Sequence, residues 1–447
     1  MVFTESAFSV KKEEFPFFPS LIQTSSGGLV PLKFFTSARK CGECHTRQYR
    51  QWNGSMHSQS FKDPVWQAFM KIYANQHGGK LNPQCVGCHT PIGLVTGKIK
   101  SYRDIENATG IVTDGVQCDV CHAIKKSIFM RSGEEPPRNT SFVLAPGNVK
   151  LGPYKNSDSD FHLTAFSSLH TQATICGNCH DLFHEDSNFA ISRTYDEWKH
   201  SIYAASRIVC QDCHMIPVSD ILEVALTLKK KRYPGTSAEG GPQRNHTYNH
   251  QFIGANFTLT EKLGSPEHAK LSIQRLKIAA RIEIEAPKVL FGEELCRIKV
   301  KVKNQAAGHY LPTGLSEFRE MWIFLEVRDR NGQEIFSSGH LDSKENIDPE
   351  ATVFNTVTTD RQGHRTFLPW RMATIKSDNR IPPKGTSSSK YQFLVNENTP
   401  GPLAIHVELR YRSFPQSLIN MLFKEKTFKV KYTVMATADQ KIRLFKK

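Results

Sequence analysis

The chain has 447 residues, 39% hydrophobic and 23% charged, with a formal net charge of +15. That length predicts two or three domains, and the composition excludes a disordered chain while being lean for an aliphatic core. No run of 18 apolar residues occurs, which excludes a membrane-spanning helix within these residues.

Residues 1–40 hold Pro16, Pro19, Pro31 and the pair Gly27–Gly28 with no helical or strand period, which predicts an extended arm, either mobile or packed on a neighbouring subunit. The opening residues lack a basic and apolar signal region. Residues 41–264 read as loop-rich, with short helices at Tyr49–Ser55, Val65–Tyr73 and Thr194–Ala204 and a basic, then Pro/Gly-rich surface loop at Lys229–Gly241. Residues 265–447 change character. Ser265–Leu276 predicts a linking helix, and alternating strands follow at Arg281–Glu285, Arg297–Val302, Met321–Val327, Lys390–Val395, Ala404–Tyr411 and Phe428–Ala436, with a turn at Asp329–Gly332. Seven or so strands predict an immunoglobulin-like β-sandwich.

Ten of the 11 cysteines form five Cys-x-x-Cys pairs, each followed at once by histidine: Cys41, Cys44 and His45; Cys85, Cys88 and His89; Cys118, Cys121 and His122; Cys176, Cys179 and His180; Cys210, Cys213 and His214. Cysteines at i and i+3 share one side of a helical turn, where both sulfurs can form thioethers to one haem, and the next histidine can ligate its iron. Structural zinc would not place a histidine in the same slot five times. Five covalently bound c-type haems are therefore expected, and with them the missing part of the core. The predicted fold class is α+β and multidomain: a mainly helical pentahaem domain, then the β-sandwich. Covalent haem attachment also predicts export to the periplasm or cell exterior, with the signal removed or outside this numbering. Cys296 stands alone and reads as a buried strand thiol.

A second histidine on each iron would give a closed, low-potential electron carrier. Thirteen histidines lie outside the motifs. His57, in Trp52-Asn-Gly-Ser-Met-His57, follows the first motif, and His170 precedes the fourth too closely to reach that haem's other face, so it is expected to serve a neighbour. His246 and His250 close the haem region. His309, in a Gly- and Pro-flanked loop of the β-region, either reaches across to a haem or is an ordinary loop histidine.

The segments Cys41–Ser58, Gly115–His122 and Tyr195–Met215 resemble multihaem cytochromes related to the tetrahaem cytochromes of hydroxylamine oxidation. Gly308–Gly314, Asp378–Gly385 and Leu409–Pro415 resemble the C-terminal β-domain of some pentahaem members. The resemblance implies closely spaced haems, an electron-transfer role, and distal ligation by His57, His170, His250 and His309. For the fifth ligand His246 is the first choice, then His162 and His184.

With ionised propionates, five haems would lower the net charge to about +10 oxidised and about +5 reduced. Nucleic acid is thus excluded as a partner. The expected partners are acidic redox proteins, a donor and an acceptor, with a homo-oligomer, filament or membrane redox complex as the assembly. An electron carrier rather than an enzyme is expected. The alternative is a multihaem oxidoreductase of nitrite or hydroxylamine type with one open haem.

Overall fold

The computed structural model describes residues 15–128 and 138–446. Of the predicted arm, residues 1–14 lie outside these. Residues 15–40 pack into the body of the chain: Phe15, Phe17, Leu21, Ile22, Val30 and Phe35 are buried. The short strand Gln23–Thr24 runs parallel to Phe142–Leu144, which also pairs with Ile124–Ser127. Ser20 and Thr140 share a 2.6 Å hydroxyl–hydroxyl hydrogen bond. Aromatic burial, which needs no period, holds this irregular segment.

The helix Pro64–Gln76 starts where Asp63 accepts hydrogen bonds from the Val65 and Trp66 amides at 2.8 and 3.3 Å, with proline at the first helical position. Its buried face (Val65, Trp66, Phe69, Met70 and Ala74) joins Ile92, Val95, Ile105 and Val112 in one hydrophobic core. The same core takes in Phe318, Met372, Phe414, Leu418 and Ile419 from far along the chain. Phe69 stacks on Phe318 with ring centres 5.2 Å apart. The sequence change near residue 265 therefore does not separate two independent cores.

A second core lies between two sheets. Ala280–Glu285, Leu295–Asn304 and Thr386–Leu394 form a three-stranded antiparallel sheet. The larger sheet runs Val289–Phe291, Thr433–Phe445, Leu403–Arg412, Glu320–Arg328, Glu334–Ser338. Along Leu295–Asn304 the side chains alternate: Cys296, Ile298, Val300 and Val302 are buried, while lysines and Arg297 face outward. They share the core with Ile323, Leu325, Val327, Leu403, Ile405, Val407 and Leu409 of the larger sheet. The last strand begins at Thr433 rather than Phe428, because the helix Gln416–Phe423 and the turn after it bring Leu418, Ile419 and Val430 to the first core. No described helix is long and apolar enough to cross a membrane.

Candidate haem-binding sites

Each motif adjoins or forms a short helix: Ala38–Cys41 ends at the first motif's leading cysteine, Pro83–His89, Cys118–Cys121 and Thr174–His180 hold the paired cysteines of the next three, and Gln211–His214 follows Cys210. The amides of His45, His122 and His214 bond the carbonyls of Cys41, Cys118 and Cys210 at 2.8–2.9 Å, so cysteine and histidine stay in register. Gly177 fills a spacer slot because a Cβ there would stand 2.6 Å from the Tyr195 ring. The ten motif thiols are free and partly accessible, whereas Cys296 is fully buried.

Two imidazoles on opposite faces of one iron, each at a metal–nitrogen distance of about 2.0 Å, have ring centres roughly 6.3 Å apart. Four motif histidines meet a second histidine at this spacing. His45 faces His162 at 6.3 Å, His180 faces His57 at 6.2 Å, His122 faces His250 at 6.5 Å, and His214 faces His309 at 6.4 Å. Backbone carbonyls orient most of these rings through Nδ1: Ser237 for His45, Leu151 for His122, Ile253 for His214, Leu163 for His162, Tyr248 for His250 and Tyr310 for His309, at 2.6–3.1 Å. With the proton on Nδ1, the Nε2 lone pair is the one left for a metal; on His214 that lone pair accepts from Arg275 Nη2 at 3.1 Å, a contact that a bound iron would have to replace. Burial pushes His57 down to about 3 and His250 to about 4, and lowers His122, His180, His214 and His309. These rings are neutral at pH 7, the form that binds iron. Donor set, spacing and orientation thus fit c-type haem.

His89 differs. Its Nδ1 bonds the Ser60 carbonyl at 3.0 Å, but the ring stacked on it, 4.9 Å away and 9° from parallel, is Trp66. Among the described residues no histidine ring pairs with it. His170 stacks on His122 at 5.1 Å with Nε2 donating to the Cys121 carbonyl, so that nitrogen is engaged. His246 lies against Tyr248 and Tyr233, and its Nδ1 accepts the Tyr233 amide. The structure places His57, His250 and His309 opposite His180, His122 and His214, His162 opposite His45 and His170 against His122, while His246 packs on tyrosines. His184 turns its Nε2 to the Trp370 carbonyl. Nothing local distinguishes His162, which sits among exposed Phe161 and Leu163.

The sites touch one another. The Cys41 thiol lies beside that of Cys118, Cys88 beside Cys179 and Cys176 beside Cys210, near enough for each to act on the other's charge. Ser60 Oγ donates to the carbonyls of both His57 and His89. Gly115, at φ +66°, lets the third-motif segment pass the His57 carbonyl, where a Cβ would come within 2.4 Å.

The His309 loop is fastened by a buried ion pair. Glu197, on the helix Thr194–Lys199, accepts from the Tyr310 amide at 3.1 Å, from Thr313 Oγ1 at 2.6 Å and from Arg380 Nη1 at 2.5 Å. The Glu197 and Arg380 side chains are 3% and 4% exposed, and Arg380 also binds Asp378 at 2.8 Å. Nearby, Glu317 is buried with one carboxyl oxygen unpartnered, and burial pushes its carboxyl up to about 7. The folded chain therefore holds this proton more tightly than the unfolded chain, whose glutamate titrates near about 4.3. The stability it contributes is complete below that value and is lost as pH rises through about 7. Glu317→Gln is expected to flatten the fall in stability between about pH 4 and pH 7, measured by urea unfolding; an unchanged slope would refute the assignment.

Residues 40–123 match the family described as cytochrome c554 and c-prime. A penta-heme cytochrome c552 from Thermochromatium tepidum is similar across 92% of this chain and 100% of its own, at 19% identity and a TM-score of 0.64, which relates the two folds. A CARDB domain from Pyrococcus furiosus overlaps 37% of this chain and 87% of its own, at 11% identity and a TM-score of 0.17. No curated protein matches the sequence. The family match covers the first three motifs, and the likeness to the penta-heme cytochrome extends a shared fold over most of the chain.

Proposed function

We propose that this multihaem c-type cytochrome holds five haems, at Cys41/Cys44, Cys85/Cys88, Cys118/Cys121, Cys176/Cys179 and Cys210/Cys213, and relays electrons between redox proteins outside the cytoplasm. Haem iron takes up and releases one electron at a time. The protein's part is to fix the irons close together and close most of them to solvent ligands. The carrying observation is the set of four histidine pairs at 6.2–6.5 Å. The thiol contacts favour an order of first, third, fourth and fifth motif, with the second branching from the fourth. Acidic partners suit the basic chain, and a filament or membrane complex would extend the same relay. Pyridine haemochrome assay of the mature protein is expected to give five haems per chain. Resonance spectra are expected to show four of them six-coordinate with two histidines. Zinc, or unmodified cysteines in the mature chain, would refute the reading.

The Trp66–His89 stack favours a second reading for one site. With no histidine opposite His89, the second-motif haem would lack the bis-histidine closure of the rest and could admit a small ligand such as nitrite. In this reading Ser60 orients His89 through Nδ1 and Trp66 restricts access. Cyanide binding to about one haem in five in the native protein would support it, and no binding would leave the relay reading alone.

A further inference from the structure

The two β-sheets run from the haem-motif side of the chain to an opposite pole. Asn304 donates to the His309 carbonyl at 3.0 Å. At the other end of its ten-residue strand, about 30 Å away, Leu295 pairs with Leu394. At that far pole the amides of Gly292 and Glu293 bond the carbonyls of Phe445 and Val395 at 3.0 and 2.8 Å, which ties the ends of both sheets together. The Phe291 and Phe445 rings lie side by side there, 6.0 Å between centres. Phe291, Leu295, Leu394 and Phe445 are 37–67% exposed, and four large apolar side chains bared at one pole mark a contact surface.

Cations stand one step behind. Lys441, Arg443 and Phe445 point outward in turn along the last strand, so Arg443 lies about 7 Å behind Phe445. Lys288, whose carbonyl accepts the Arg443 amide at 3.0 Å, joins Lys441 and Arg443 around an open cleft of about 640 Å³ lined also by Ile284 and Ala286. Gln440 Nε2 donates to the Ala286 carbonyl at 3.0 Å across the cleft's base. The cleft's acid, Glu285, turns to Lys299 and Lys301, so the three cations meet no carboxylate among the described residues. Of the other acids nearby, Asp439 pairs with His406, Glu294 accepts the Phe291 amide, and Glu293 and Glu397 sit in the turns of the pole.

We propose that this pole seats on an anionic lipid bilayer, with Phe291, Phe445, Leu295 and Leu394 entering the acyl boundary and Lys288, Lys441 and Arg443 holding headgroup phosphates at the cleft. The order of the side chains selects a bilayer over an acidic protein. Apolar groups are outermost and cations follow about 7 Å behind, which matches the depth of about 5–10 Å to which interfacial apolar groups sink. A protein interface would instead surround an apolar centre with a polar rim. Attachment of this kind needs no spanning helix, and it holds the His309 loop about 30 Å above the lipid. The inference stands apart from the relay reading, because seating does not depend on the number of haems.

Flotation of the whole haem-loaded chain with lipid vesicles tests this. Binding is expected to phosphatidylcholine vesicles containing about one-third phosphatidylglycerol, with release by added salt, and not to phosphatidylcholine alone. Lys441→Glu combined with Arg443→Glu is expected to weaken binding by about tenfold or more. Phe291→Ser combined with Phe445→Ser is expected to do so by a similar factor. Unchanged haem content and thermal unfolding show that the variants are folded; if a pair fails that check, Lys288→Glu and Leu394→Ser decide in its place. Absence of binding to the mixed vesicles overturns the proposal, and so does binding that either double variant retains in full. Retention on immobilised poly-glutamate without vesicle binding would put an acidic protein in the place of lipid and equally overturns it. A chain that binds vesicles but carries fewer than five haems would sink the relay reading alone.

Discussion

His309→Ala is expected to convert one bound haem from six- to five-coordinate and to leave the other sites unaltered. The ring stands 6.4 Å from His214 and is oriented by its own loop, through the Tyr310 carbonyl. Among the described residues no other histidine outside the motifs pairs with His214, so truncation removes that iron's second ligand without a substitute. Ferric absorption and low-temperature resonance should then show a high-spin signal from about a fifth of the iron. His246→Ala serves as the contrast. That ring packs on Tyr248 at 4.4 Å, and its loss should leave every spin state as it was. The reverse pattern, a high-spin signal from His246→Ala and none from His309→Ala, would show that the pairing is wrong.

Glu197→Leu is expected to destabilise the chain by about 3–5 kcal/mol, because it strands a buried guanidinium. Arg380 is 4% exposed and would keep only Asp378, while the Tyr310 amide and the Thr313 hydroxyl would lose their acceptor. Arg380→Met should cost a similar amount by stranding the carboxylate. The double variant should recover much of the loss, since two apolar side chains leave no uncompensated charge. Urea unfolding measures all three. The single change at Glu197 should also raise the high-spin fraction, because the loop that carries His309 loses its fastening. A cost below about 1 kcal/mol for both single variants would mean that the pair behaves like an exposed one.

The five thiol–imidazole motifs are legible because their pattern is local: two cysteines and a histidine within five residues, repeated five times. The strands were legible from alternation, as in Arg297–Val302. The opposing ligands are another matter. Which histidine faces which motif is decided by which loop folds over it, so His162, on the exposed loop before Leu163–Phe166, meets His45 while His246 turns to tyrosines. Trp66 beside His89 has no sequence signature beyond an aromatic on a helix. Residues 15–40 read as an arm because prolines and glycines erase periodicity. Phe15, Phe17 and Phe35 nonetheless bury their rings, since hydrophobic transfer has no required spacing.

Phe414, Leu418 and Ile419 close an interior that Trp66 and Phe69 begin. A chain made from its amino end must therefore be nearly complete before that interior can shut. A gene fragment ending near residue 264 would leave Phe69 and its neighbours facing water, and would yield a sticky half rather than a smaller wire.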